Sequence, residues 1–395
     1  MIEFVSGQSK HDLLAVGGHD DLARQEFAMS LKRFIQDRLL PGLGPVFEGR
    51  VSKAYEKKHG KPPADRHQIR EGMIADPYFQ TYALTNRVAQ EMIWSSVQAP
   101  IERDLDAVND AAAKLSGTNK APLETSDDFD IPRYVSAIDI HCMPGGYCTE
   151  ESQSDVAAGA LYDRGVYLYS MGMMGPDNDG MGRSVCQYVE KQLNGFTPTN
   201  ILDMGCTVGH STLPFKEVFP YANVTGIDVG GPCIRYGHAR AAAKGLDVGF
   251  MQRDASQTGF EDESFDLIVS HILLHETSGK AMPQIFKECY RLLKPSGYMI
   301  HADLPPFLKM GAFNQFILDN ETYYNNEPFW GAMRDLDQEQ MAADAGFAKE
   351  TVRFDTASFF IPEGFAPEPA PDEEEFVAGE FAPGAGWEVL IARKD

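Results

Sequence analysis

Two rhythms of apolar residues divide this chain. Up to about residue 175 they recur at three- and four-residue spacing, the period of a helix with one buried face. From Asp20 to Leu40 the residues Phe27, Leu31, Phe34, Ile35 and Leu39 predict one such face. Pro41-Gly42-Leu43-Gly44-Pro45 then predicts a sharp helix end, and Pro62-Pro63 a second break. Phe79, Tyr82, Val88, Met92 and Ile93 predict a helix over 78–98, and a third follows over 101–115. Residues 116–132 are polar, contain two prolines and read as a linker or surface loop. The run 134–142, YVSAIDIHC, predicts a strand before a turn at Met143-Pro144-Gly145-Gly146. The stretch 157–174 carries Tyr162, Tyr167 and Tyr169 among methionines; it reads equally as a lid or as a packing helix.

From Gly182 onward short apolar runs alternate with amphipathic stretches. Strands are expected at NILDMG, VTGIDVG, VGFMQRDA, FDLIVSHILL and GYMIHADL, with helices between them. A helix over DLDQEQMAADAGF and two last strands, KETVRFDTASFF and GWEVLIARK, complete the pattern. Alternation of this kind predicts an α/β fold with a doubly wound, mostly parallel sheet. The chain thus divides into a mainly helical part, 1–175, that covers a substrate pocket or builds a dimer, and a sheet-bearing part, 176–395. Between the last two strands, residues 362–380 hold seven acids, four prolines and no Lys or Arg, the composition of a solvated loop.

The chemistry concentrates where the second rhythm starts. Ile201 and Leu202 lead to Asp203, and Gly205 and Gly209 follow in D-x-G-x-x-x-G spacing before a helix start. A buried strand, a glycine turn and a helix N-terminus let backbone approach a nucleotide-like ligand closely. A second acid, Asp228, ends the next strand 25 residues later, where it can accept bonds from both ribose hydroxyls.

With these motifs in order, residues 180–395 resemble the class I S-adenosylmethionine-dependent methyltransferases. The resemblance implies a Rossmann-like seven-stranded sheet whose last strand is antiparallel. It also implies that Asp203, Gly205, Cys206 and Gly209 hold the methionine part of the cofactor, Asp228 its ribose, and Val229, Asp254 and Ala255 its adenine. Many members carry another glycine in the turn, where this chain has Thr207; a branched residue tolerates positive φ poorly, so a slightly different turn is expected.

His275 and Glu276, in SHILLHE, are similar in place to the His-acid pair of plant-type small-molecule O-methyltransferases, which also carry a helical N-terminal domain. His275 is therefore the candidate general base for a hydroxyl acceptor, with Glu276 as its acid, against a packing or cofactor-contact role. His271, four residues earlier, is expected to touch the cofactor. His301 and Asp303 fall at the ligand-facing end of the fifth strand. In ETYYNNEPFW, Tyr323, Tyr324, Asn325, Glu327 and Trp330 are candidate acceptor-binding residues.

Composition narrows the partners. A net charge of −23 argues against nucleic acid, whose affinity depends on Lys and Arg. No apolar run approaches a membrane span, and no leader pattern opens the chain, so a cytoplasmic protein is expected. The six cysteines show no zinc-like spacing and no metal is expected; Cys142 and Cys148 are the one close pair. The expected function is methyl transfer to a small organic acceptor, most simply an oxygen, in a homodimer. The rivals are another S-adenosylmethionine-binding enzyme, with pericyclic, dehydration or decarboxylation chemistry, a metalloid or sulfur methyltransferase, and a non-catalytic partner subunit.

Overall fold

The computed structural model describes residues 7–15, 17–152, 154–361 and 386–395. The acidic stretch 362–380 lies outside the described residues. Among them, no helix is long and apolar enough to cross a membrane.

The sheet follows the second rhythm of the sequence. Its strands are β1 (Leu123–Glu124), β2 (Asn200–Met204), β3 (Asn223–Asp228), β4 (Gly249–Gln252), β5 (Phe265–His271), β6 (Leu293–Ala302), β7 (Arg353–Ser358) and β8 (Gly386–Arg393). Their order is β1-β4-β3-β2-β5-β6-β8-β7. Pairs from β1 to β6 are parallel; β8 runs antiparallel to both β6 and β7. Ile201, Leu202, Leu267, Ile268 and Ile300 are fully buried, as strands covered by helices on both faces require. The order reverses between β2 and β5, so ligands belong at their C-terminal ends.

The leading part is helical, with departures from expectation. α1 (His19–Phe34) does not end at Pro41; the chain continues helically through a π-turn (Ile35–Leu39), a tight turn (Leu40–Gly42), Leu43–Val46 and a second π-turn (Phe47–Val51) into α2 (Ser52–His59). A proline breaks a regular helix because it lacks an N–H and its ring meets the carbonyl four residues back. The wider π-turns on either side re-space those carbonyls, so both prolines fit. The expected face holds only in part: Ile35 is buried, but Phe27 and Phe34 are 59% and 51% exposed, and α1 buries Ala28 and Met29 instead.

α3 (Arg66–Met73) is followed by α4 (Pro77–Ser116), one helix of 40 residues where two were expected. Val88 is on its exposed side. The polar stretch after α4 is partly sheet, since β1 pairs with β4 and the Phe250 N–H donates to the Pro122 carbonyl. The strand expected at 134–142 is absent. Instead a short helix (Arg133–Ser136) leads to a 3₁₀ turn (Ile140–Cys142) in which His141 and Cys142 have φ of 56° and 59°. The Trp94 and Gln90 side chains both donate to the His141 carbonyl, at 2.7 and 3.0 Å, and fix that turn.

α5 (Ala157–Tyr169) is a packing helix. A Cβ on its Gly159 would meet the Tyr236 ring at 2.8 Å, and one on Gly165 would overlap Trp94, so it lies close against its neighbours. Its Asp163, 1% exposed, ties the two parts together: it accepts from His11, His210 and Tyr236, with Arg240 beside it.

Candidate active site

The turn after β2 explains its glycines. Gly205 and Gly209 have φ of 72° and 79°, and a Cβ on either would come within 2.7 Å of Leu273 or Phe250. Thr207 takes the left-handed conformation as well, with φ of 43°. The turn thus bears the strain of a branched residue held in that conformation. The Thr207 N–H donates to Asp228 at 3.0 Å, and its side chain meets the Tyr162 hydroxyl; both hold it in place.

Asp203 accepts from Thr212 at 2.6 Å and lies 3.3 Å from His271 Nδ1. Asp228 ends β3, where its oxygens accept from Gly230 and Thr207 N–H groups. Burial raises its carboxyl to about 6, against those two N–H groups, which lower it. A cavity of about 210 Å³ opens between this edge of the sheet and the helical part. Asp203, Gly205, Cys206, Asp228, Val229, Asp254, Ala255 and His271 all line it. Gly209 does not; its N–H closes the turn onto the Cys206 carbonyl, and it makes room for Phe250 behind.

His275 stands at the far end of the same cavity, on a 3₁₀ turn (Leu274–Glu276) directly after β5. Ile272, before it, has φ of 57°, a second branched residue held left-handed against the cavity. The carboxylate that orients His275 is Asp303, not Glu276. Asp303 Oδ1 is 2.8 Å from His275 Nδ1, and the Leu274 N–H fixes its other oxygen at 2.7 Å. The reason is geometric: neighbouring parallel strands β5 and β6 bring residues at their ends side by side, whereas adjacent residues on one turn point apart. Burial alone would lower His275, but Asp303 and then Glu327 outweigh it and raise its pKa. His275 Nε2 has no hydrogen-bond partner.

Glu276 turns instead to the helical part, accepting from Tyr147 at 2.8 Å and lying 2.9 Å from His141 Nε2. Burial would raise it, and His141 holds it below the ordinary range. The other wall is aromatic: Trp94, Tyr134, Tyr147, Tyr162 and Tyr169 come from the first 175 residues.

The candidate acceptor residues scatter. Trp330 lines the cavity with its ring edge-on to His275 at 5.0 Å. Tyr324 lines an adjoining cavity of about 80 Å³, next to Lys32 and Glu321. Tyr323 lies outside both, 44% exposed and stacked under the Arg70 guanidinium, because its turn faces α3. Asn325 and Glu327 are buried beside His141. Cys142 and Cys148 are free thiols pushed up to about 12 by burial, so neither is a thiolate at neutral pH. His141, Tyr147 and Asp303 were not identified as site residues from sequence, although Asp303 at a strand end carried a signal.

Residues 201–297 match the family described as a methyltransferase domain. This segment is a methyltransferase domain. The match supports a class I S-adenosylmethionine-dependent methyltransferase, with S-adenosylmethionine as the cofactor. The chain is 34% identical over 116 residues to a demethylmenaquinone methyltransferase of Thermus thermophilus, covering 29% of this chain and 51% of that one. It is 28% identical over 163 residues to phosphoethanolamine N-methyltransferase 1 of Arabidopsis thaliana, 41% of this chain and 31% of that one. The chain thus spans about half or less of these relatives' length. A solved Haemonchus contortus phosphoethanolamine N-methyltransferase 2, with phosphomonomethylethanolamine and S-adenosylhomocysteine, aligns at 17% identity and a TM-score of 0.41, over 62% of this chain and 60% of that one.

The residues present fit the cofactor. Asp228 offers a carboxylate at the cavity wall, the glycine turn admits close backbone approach, and His271 Nε2 is buried without a partner beside Asp203.

Proposed function

We propose that the chain transfers a methyl group from S-adenosylmethionine to an oxygen of a small organic acceptor. The observation that carries this reading is the unpartnered Nε2 of His275, facing the cavity whose opposite wall is the glycine turn and Asp228. The cofactor supplies a methyl group already activated on a sulfonium. The protein's task is then to hold the acceptor in line, keep water out and remove its proton. Asp228 and the turn through Gly205 position the cofactor's sugar and methionine ends. Asp303 holds the His275 ring by Nδ1 and leaves Nε2 to take the acceptor proton. The aromatic wall supplies a dry pocket for a flat or apolar acceptor body.

The test is incubation with methyl-labelled S-adenosylmethionine and a panel of phenols, alcohols, amines and thioethers, with products resolved by mass. Label in an O-methylated product supports the reading. Turnover of an acceptor without formation of S-adenosylhomocysteine would replace it with non-transfer chemistry. The helical part is also proposed to pair two copies, supported by the exposed Phe27, Phe34, Leu84 and Val88. A sedimentation mass of one chain would refute that.

A further inference from the structure

The two histidines of the cavity are arranged alike. His141 Nδ1 lies 2.9 Å from Glu327 Oε1, and His275 Nδ1 lies 2.8 Å from Asp303 Oδ1. Each imidazole therefore has a carboxylate behind it, and both Nε2 atoms point to one spot. Glu276 Oε1 completes that spot, 2.9 Å from His141 Nε2 and 3.9 Å from His275 Nε2. The three donor atoms lie within 4.8 Å of one another. The Tyr147 hydroxyl donates to that same Glu276 Oε1 at 2.8 Å and fixes its position.

We infer that His141, His275 and Glu276 bind a divalent first-row metal cation at the end of the methyl-transfer cavity. Two imidazoles and one carboxylate, with further positions open, are a donor set for Zn²⁺ or a neighbouring ion. Carboxylates behind both rings fix the tautomer that leaves Nε2 free for the metal, as the outer partners of metal-bound histidines do. A second observation points the same way. His275 Nε2 and Glu327 Oε2, on side chains 0% and 1% exposed, have no hydrogen-bond partner and lie 3.6 Å apart. Two buried acceptors so placed, beside a third on Glu276, are satisfied together by a cation between them and a proton or bound hydroxyl next to it.

This inference rests on the methyl-transfer reading and refines how the acceptor is activated. Beside the cation an acceptor hydroxyl is more acidic. Its proton passes to Glu327 Oε2, its electron pair bonds the methyl carbon, and the carbon–sulfur pair returns to sulfur. With the cation bound, His275 is a ligand; it takes the proton directly only in cation-free protein. No metal was expected from the sequence, where only one of the two histidines lies beside Glu276. The second histidine comes instead from a turn 134 residues earlier in the chain.

The test uses the full chain, stripped with a chelator and titrated with Zn²⁺ and with Co²⁺, read by calorimetry and by cobalt absorption. The expected result is one cation per chain with micromolar or tighter affinity. His141→Ala and Glu276→Gln should each weaken it at least tenfold while keeping S-adenosylhomocysteine binding, which shows that the variants are folded. Both side chains are 16% exposed, so neither replacement opens a void in the core. Absence of stoichiometric binding in the wild type overturns the inference, as does equal affinity in both variants. If the stripped wild-type protein methylates its acceptor at the full rate, the cation is refuted and methyl transfer stands. If wild type fails to bind S-adenosylhomocysteine, the methyl-transfer reading itself falls.

Discussion

Replacing Asp228 by Asn probes the cofactor cradle where its geometry is most constrained. In the wild type both carboxylate oxygens are already held by backbone donors, Gly230 N–H at 2.8 Å and Thr207 N–H at 3.0 Å. An amide has one acceptor oxygen, so its NH₂ must face one of these donors. A buried donor left without an acceptor costs about 1–3 kcal/mol, and a lost hydrogen bond to a charged group about 1.5–3 kcal/mol. Part of the first cost falls on the free protein, so about 2–4 kcal/mol remains in binding. That is a loss of roughly 30- to 1,000-fold in affinity.

The same residue fixes a pH dependence. Burial raises the Asp228 carboxyl to about 6, and the ionised form is the one that accepts from ribose hydroxyls. Wild-type affinity is therefore expected to be level above pH 7 and to fall below pH 6 towards tenfold per unit, while the Asn variant does not change. Calorimetric titration with S-adenosylhomocysteine between pH 5 and 8 reads both effects. An Asn variant within threefold of wild type at pH 7.5, or the same fall below pH 6 in both proteins, would refute the reasoning.

Other substitutions test separate parts of the structure. His275→Ala should keep S-adenosylhomocysteine affinity and lower the single-turnover rate by roughly 10²–10⁴-fold; an unchanged rate would move acceptor activation elsewhere. Asp163→Ala removes the partner of His11, His210 and Tyr236 and should cost about 3–5 kcal/mol in denaturant unfolding. Arg240, His11 and His210 hold the Asp163 carboxyl well below its ordinary range despite burial. Its contribution is thus complete above about pH 4 and lost as pH falls further; a variant with wild-type acid stability would contradict this. Gly209→Ala meets both a left-handed φ and the Phe250 ring at 2.7 Å. About 2–4 kcal/mol is expected, a melting temperature lower by on the order of 5 °C, and an unshifted melt would be inconsistent with that turn.

The sheet could be read from sequence because its determinants are local. Buried apolar runs such as Ile201-Leu202, and glycines whose positive φ closes a tight turn, stand in the residues themselves. The carboxylates at strand ends followed from position alone. What could not be read depends on contacts across long sequence gaps. Asp303 partners His275 because β5 and β6 are neighbours, and Glu276 turned to His141, which sits on a turn where a strand was expected. Apolar periodicity also misjudged Phe27 and Phe34: three- and four-residue spacing finds a face, but not which side the rest of the fold covers. Thr207 shows a different limit, since a neighbouring carboxylate and tyrosine keep a threonine where local preference asks for glycine.

The turn that carries His141 has a consequence for anyone dissecting or re-engineering this protein. It delivers an imidazole, and with Tyr147 and Tyr162 much of a wall, into a chamber whose floor belongs to the sheet. Residues 176–395 expressed alone would lack the edge strand β1, the Asp163 partner of His210 and Tyr236, and the companion of Glu276.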